Sequence, residues 1–304
     1  MTDVSWSLRW ELFHFPIFAA LIAGLVCPLI GTMLFLRRTS FYGIALPQFA
    51  AAGIVCGFAA IPWWFEHIGF GGLTPEEALA DAHAAINYHF LWAAAFTLSG
   101  LYSLAWLGRR GGSEIGRVAA AFALANACTY LFGRLSPVGL SFVTELFQSE
   151  ILSVGRHEIE VLAGAYGLAF VLTCAFHRDF VLMSFDRDYA IVLGKRVFGL
   201  ELLLNSLIGI TVAVGTIIVG PTLLFGLLIV PTLVARRWAK SMSALLVLAP
   251  VVGLVSTLLG ILISFELDLP LGASIVAATL VFMLPGVCFP ARAPKYAGTS
   301  EVDP

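Results

Sequence analysis

Charge is what this sequence has least of. Only 12% of its 304 residues are charged, and the two signs nearly balance, at 19 acidic to 17 basic. An ordinary soluble domain carries about 25%. No basic patch marks a nucleic-acid partner, and a formal net charge of −2 offers no field for one. Motifs for handling nucleotides or activating a nucleophile are missing too, since neither G-x-x-x-x-G-K-[ST] nor G-x-S-x-G occurs. His157-Glu158 begins an H-E-x-x-H pattern, but its fifth position is Val161, which ends the zinc-protease reading. The runs of apolar sequence hold almost no ionisable groups, so an enzyme is not expected. Cysteine is sparse and odd in number. Cys27, Cys56, Cys128, Cys174 and Cys288 all lie in apolar runs without a C-x-x-C pair, and are read as small packing residues rather than a disulfide framework. A cleavable signal is not expected either: the first apolar run starts near Phe15, is too long for one, and stops at Arg37-Arg38.

What is abundant is apolar sequence. Hydrophobic residues make up 60% of the chain and the mean hydropathy is +0.94. Runs of about 20 residues recur along it, each long enough to cross about 30 Å of hydrocarbon as a helix. The expected fold is an all-α polytopic membrane protein with about eight or nine transmembrane helices. The spans are read at 15–36, 45–64, 90–107, 118–132, 161–176, 198–219, 221–235, 243–265 and 271–288. Residues 1–14 read as an interfacial N-terminal segment, 15–290 as the transmembrane domain and 291–304 as a disordered tail. Within the domain, 66–88 is an acidic insertion in which Thr74-Pro75-Glu76-Glu77 looks like the start of a short helix. A loop with a possible short helix is placed at 133–156, and a polar segment at 178–197.

Basic residues punctuate the spans on one side only. Arg37-Arg38, Arg109-Arg110 and Arg236-Arg237 follow the first, third and seventh, and Arg178, Arg187, Lys195 and Arg196 follow the fifth. The alternate loops carry Glu66, Glu76, Glu77 and Asp81, or Glu266 and Asp268. The positive-inside rule then sets the N-terminus outside and the C-terminus in the cytoplasm of a cell bounded by its cytoplasmic (inner) membrane.

Polar groups within the spans are few. Gln48, Asn126 and Asn205 are each more often helix–helix hydrogen bonders than substrate contacts. Gln48 follows Pro47, which frees a backbone carbonyl, and Pro231 is read as interrupting the seventh span after Gly220-Pro221. Such breaks either kink a helix for packing or line a pathway, so Pro47, Gln48, Asn126 and Pro231 are the candidate pathway residues. The insertion offers His67, His83 and nearby His89 with its carboxylates, at spacings too irregular to define a metal site.

Four stretches in order resemble the ABC transporter permeases that import zinc, manganese or iron. They are Phe35-Leu36-Arg37-Arg38-Thr39-Ser40-Phe41-Tyr42-Gly43; Phe185-Asp186-Arg187-Asp188-Tyr189-Ala190 with Gly194; Gly220, Leu227-Leu228-Ile229-Val230-Pro231 and Ala235-Arg236-Arg237; and Ser264 with Asp268-Leu269-Pro270-Leu271-Gly272. The resemblance covers about residues 11–284 and implies the metal-type importer fold. It implies a homodimer embedded in membrane lipid, two cytoplasmic ABC ATPase subunits that hydrolyse the ATP, and an extracytoplasmic solute-binding protein. No cofactor is then bound by this chain. It also implies that Asp186, Arg187, Asp188, Ala190 and Gly194 carry the contact with the ATPase. One departure is plain. The family's Asp and His, four residues apart at the start of the second span, are here Ile44 and Gln48. No metal ligand is therefore carried over. Three readings stay open: other groups handle the metal, the cargo is a chelated metal or another small solute, or the chain is a scaffold that transports nothing.

Overall fold

In hydrocarbon a backbone N–H or C=O finds no water, so a crossing segment must satisfy its own hydrogen bonds, which a helix does. The computed structural model describes residues 6–67, 86–109, 113–136 and 154–282. They form eleven helices: α1 (Trp6–Leu36), α2 (Tyr42–His67), α3 (Ile86–Arg109), α4 (Glu114–Leu135), α5 (Arg156–Ala175), α6 (His177–Phe185), α7 (Arg187–Val192), α8 (Val197–Ile218), α9 (Pro221–Trp238), α10 (Met242–Leu267) and α11 (Leu271–Val281). Eight of them, α1 to α5 and α8 to α10, are long and apolar enough to cross a membrane. The expected all-α polytopic class holds. The short helix expected after Thr74, most of the 133–156 loop and the 291–304 tail lie outside the described residues.

One expectation fails. Pro231 does not interrupt its span, because α9 runs unbroken from Pro221 to Trp238 with Pro231 inside it. A proline removes a single donor, here the one that would serve the Leu227 carbonyl, and the other bonds of the helix hold it together. Pro47 likewise lies within α2, where it leaves the Gly43 carbonyl without its helical donor. The real break precedes α9. Gly220 has φ +88°, which side-chain-bearing residues rarely adopt, and Pro221 takes the first helical position. The first helix begins at Trp6 and continues without a break into the first span.

Helix α1 is the axis of the bundle. It packs against α5, α9 and α10, and 78% of its span is buried, against 17% for α4. Lipid tails are as apolar as leucine, so helices in a membrane gain little by hiding apolar area from lipid and depend on close packing. Glycine supplies it here. Where Gly24 of α1 meets α10, a Cβ on Gly253 would strike the Gly24 carbonyl oxygen and a Cβ on Gly24 would strike Thr257 Oγ1, and Gly31 sits against the Leu228 carbonyl of α9. Hydroxyls add polar joints. The Pro28 carbonyl accepts Thr32 Oγ1 at 2.8 Å and, from α9, Thr232 Oγ1 at 3.2 Å. The buried Tyr166 hydroxyl of α5 donates to the Thr211 carbonyl of α8 at 3.0 Å and lies 3.5 Å from Cys27 Sγ of α1. A second group forms around α2, which packs on α3 and α4 and touches α8 and α9. Gly53 lies on the Trp92 carbonyl of α3, and Phe49 covers Gly100.

Gly31→Leu should lower the unfolding temperature of the detergent-solubilised protein, since overpacking costs about 1–3 kcal/mol or more. Gly164→Ala, where a Cβ meets nothing within 4 Å, should leave it unchanged or raise it.

Candidate functional site

The basic loops gather at one end of the bundle. The Arg236 guanidinium lies 4.7 Å above the ring of Phe35. A cavity of about 340 Å³ there is lined by Phe35, Arg38, Phe185, Arg236, Lys240 and Met242. A neighbouring cavity of about 380 Å³ is lined by Arg37, Tyr42, Tyr102, Phe198, Glu201 and Asn205. These place the end of α1, the start of α2, the end of α3, α6, the start of α8, the end of α9 and the start of α10 together.

Helices α6 and α7 make a corner at this end, and one residue forms it. Asp186 closes α6, then accepts the Tyr189 N–H on its carboxylate at 2.8 Å to open α7. Gly194 closes α7 with φ +75°, its own N–H on the Ile191 carbonyl at 2.9 Å and the Lys195 N–H on the Ala190 carbonyl at 3.1 Å. Nothing lies within 4 Å of where a Cβ would stand, so glycine is needed there for its backbone angle alone. Ala190 is buried and seats the helix. Lys195 Nζ reaches Asp179 Oδ1 of α6 at 2.8 Å. Arg187 turns inward to α8, where Nε meets Glu201 Oε1 at 3.0 Å and Nη2 meets Oε2 at 3.2 Å. The hydrogen bond to Glu201 raises the Arg187 pKa above its ordinary value.

The five candidate contact residues are thus brought together in unlike positions. Asp186 and Gly194 are the caps, Ala190 is the seat, Arg187 is tied to α8 and Asp188 is exposed. The side chains that α7 and its flanks present outward are not among those five: Phe185 and Tyr189, named above only as part of the resembling stretch, with Ile191, Val192 and Leu193, all more than half exposed and Val192 at 81%. Five large hydrophobic residues on and beside a six-residue helix, in an otherwise polar segment, were the signal.

The candidate pathway residues lie on three helices. Pro47 and Pro231 are buried on α2 and α9, which touch. Gln48 is half-buried, and its Oε1 is shielded without a hydrogen-bond partner; Ile44 lies one turn before it on the same face. Asn126 spends its amide within α4, donating to the Phe122 carbonyl at 3.2 Å. Among the described residues no three His, Cys, Asp or Glu side chains come together to hold a metal. Of the insertion's candidates, Glu66 and His67 are exposed and His83, Glu76, Glu77 and Asp81 lie outside the described residues. His89 is 3% exposed, stacked on Phe58 at 3.9 Å, with neither ring nitrogen partnered.

The sequence profile of the ABC 3 transport family matches residues 88–289. The manganese transport system membrane protein MntC of Bacillus subtilis (strain 168) is 26% identical over 288 residues, covering 90% of this chain and 60% of that protein. The chelated iron transport system membrane protein YfeD of Yersinia pestis is 25% identical over 295 residues, covering 93% and 88%. Among solved structures, PsaBC from Streptococcus pneumoniae in complex with Fab superposes with a TM-score of 0.73 over 95% of each chain at 20% identity, a likeness of fold.

Gly194→Val should cost α7 about 1–2 kcal/mol, and amide hydrogen exchange across residues 187–195 should quicken by roughly tenfold while that of α8 stays as it was.

Proposed function

Because the chain belongs to the ABC 3 transport family, we infer that it is the membrane-spanning permease subunit of an ATP-binding-cassette importer for a divalent transition metal: zinc, manganese or iron. It is a multi-pass protein of the cytoplasmic membrane, with α1 entering from outside and the arginine-rich end in the cytoplasm. ATP is hydrolysed by a separate cytoplasmic subunit, in keeping with the missing nucleotide motifs. On this reading the rest of the assembly is a second copy of this chain, two ATPases and a solute-binding protein on the outer side.

The observation that carries this reading is the apolar face of α7. A six-residue helix that is capped at both ends, seated by Ala190 and held by Arg187 is built to be rigid, yet it leaves Tyr189, Ile191 and Val192 in water. At the cytoplasmic end of a permease, that is the shape of a knob for a groove on the ATPase. The relatives' names support a metal as cargo. A second reading has its own support. Ile44 and Gln48 offer no charged ligand, and the described residues hold no metal-binding cluster. A pathway lined that way suits a chelated metal, whose charge is already satisfied, better than a bare cation.

Uptake should be measured in vesicles holding this chain, its cognate ATPase and its binding protein, with zinc, manganese and iron offered in turn, free and chelated. Saturable, ATP-dependent uptake of a free metal is expected on the first reading and of a chelate alone on the second. ATP turnover that responds to the binding protein, with neither form of any metal moved, would refute both. In the same complex, Val192→Asp together with Ile191→Asp should weaken ATPase association at least tenfold in a pull-down, the loss of about 1.4 kcal/mol of contact.

A further inference from the structure

We propose that Glu201 is the joint through which movement of α7 reaches α2, by being shared between Arg187 of α7 and Arg37 of the turn between α1 and α2. This rests on the permease reading above and on the geometry at the start of α8. Glu201 is the one acidic residue of that helix, and both its oxygens are taken by Arg187, at 3.0 and 3.2 Å. One turn further on, Asn205 Oδ1 accepts Arg37 Nη1 at 2.6 Å. The Arg37 side chain is half-buried, and burial holds its pKa below the ordinary value; of the neighbouring charges Glu201 most opposes that shift and Arg187 adds to it. Two guanidinium groups therefore stand around one carboxylate. Arg187 holds it directly, and Arg37 is parked one turn away on a neutral amide, a weaker partner for a cation than a carboxylate.

Room exists for the partners to change. Arg37, Glu201 and Asn205 all line the same cavity of about 380 Å³, with Thr39, Tyr42 and Tyr102 as the other polar groups on its wall. If α7 is drawn away from α8, Arg187 leaves and Glu201 is uncovered. Arg37 can then exchange Asn205 for Glu201. Arg37 and Tyr42 are joined by a short turn in which the Tyr42 N–H bonds the Thr39 carbonyl at 2.9 Å, so the exchange pulls on the first residue of α2. Helix α2 carries Pro47 and Gln48. A displacement at the ATPase face is thus converted into a choice between two discrete pairings, which packed interfaces pass on better than a continuous strain.

The test uses the assembled transporter in vesicles and reads three quantities: ATPase association, ATP turnover stimulated by the binding protein, and uptake per ATP. Glu201→Gln should leave association at the wild-type level and cut uptake per ATP at least tenfold. The exchanged pair Arg187→Glu with Glu201→Arg restores an ion pair between α7 and α8, but sets a second cation against Arg37, so its uptake per ATP should stay low. Adding Arg37→Glu gives position 201 two acidic partners and should recover uptake. Full uptake in the exchanged pair alone, or in Glu201→Gln, would overturn the proposal, because Glu201 would then only anchor α7. Failure of the triple variant to recover uptake while association stays normal would overturn it as well. Failure of the permease reading is distinguishable, since it appears as absent uptake in the wild-type vesicles.

Discussion

The constraint on which this fold depends is that helices in a membrane must approach to backbone contact before they gain much from each other. Apolar side chains win nothing against one another that lipid does not already give them. At the crossing of α1 and α10, Gly24 and Gly253 remove the side chains from both surfaces. Pro28 deprives the Gly24 carbonyl of its helical donor at the same crossing, which leaves that oxygen turned to the Gly253 Cα. The Pro28 carbonyl then takes a hydroxyl from α9. Gly24, Pro28 and Gly31 of α1, with Thr232 reaching in from α9, therefore fix the positions of two other helices, and these bring Arg236 and Lys240 beside the end of α1.

That arrangement gathers the arginine-rich end into a charged platform on an apolar bundle. The platform is not a loose set of surface charges. Asp186 and Gly194 set the ends of α7, Lys195 ties the following turn back to α6, and Arg187 ties the helix to α8. The polar residues hold the corner, and the apolar ones are left outward. In a soluble protein such an outward set would be an aggregation hazard, and on the permease reading it is the surface offered to the ATPase.

Much of this was legible in the sequence, because hydrocarbon thickness and the cost of charge in lipid act on local composition. The run read at 221–235 became α9, Pro221–Trp238, and the run read at 198–219 became α8, Val197–Ile218. The segment at 178–197 stood out by its polarity, and the structure folds it into α6, α7 and the turn at Gly194. What was not legible depends on contacts between distant parts of the chain. Asn205 read as a generic helix–helix donor, yet its partner is Arg37, 168 residues away, from a loop. Glu201 lies inside the run read at 198–219, and the partner that holds it, Arg187, comes from the preceding polar segment. The candidate pathway residues remain the least determined from sequence, since Pro231 had read as a break although a helix enclosed on several sides can lose one hydrogen bond without ending. Ile191 and Val192 were overlooked because apolar residues are unremarkable in a chain that is 60% hydrophobic.

Asp186 serves as the last cap of one helix and the first cap of the next, and this gives the corner a mechanical property. With no spacer between α6 and α7, there is no slack for a load to take up before it arrives. A six-residue helix is about 9 Å long, so it acts as a stubby lever arm with its pivot at one carboxylate and its far end at Gly194. Force applied to its tip becomes torque on α6 and on the start of α8 at once, and the Lys195 N–H on the Ala190 carbonyl carries the following turn along with it.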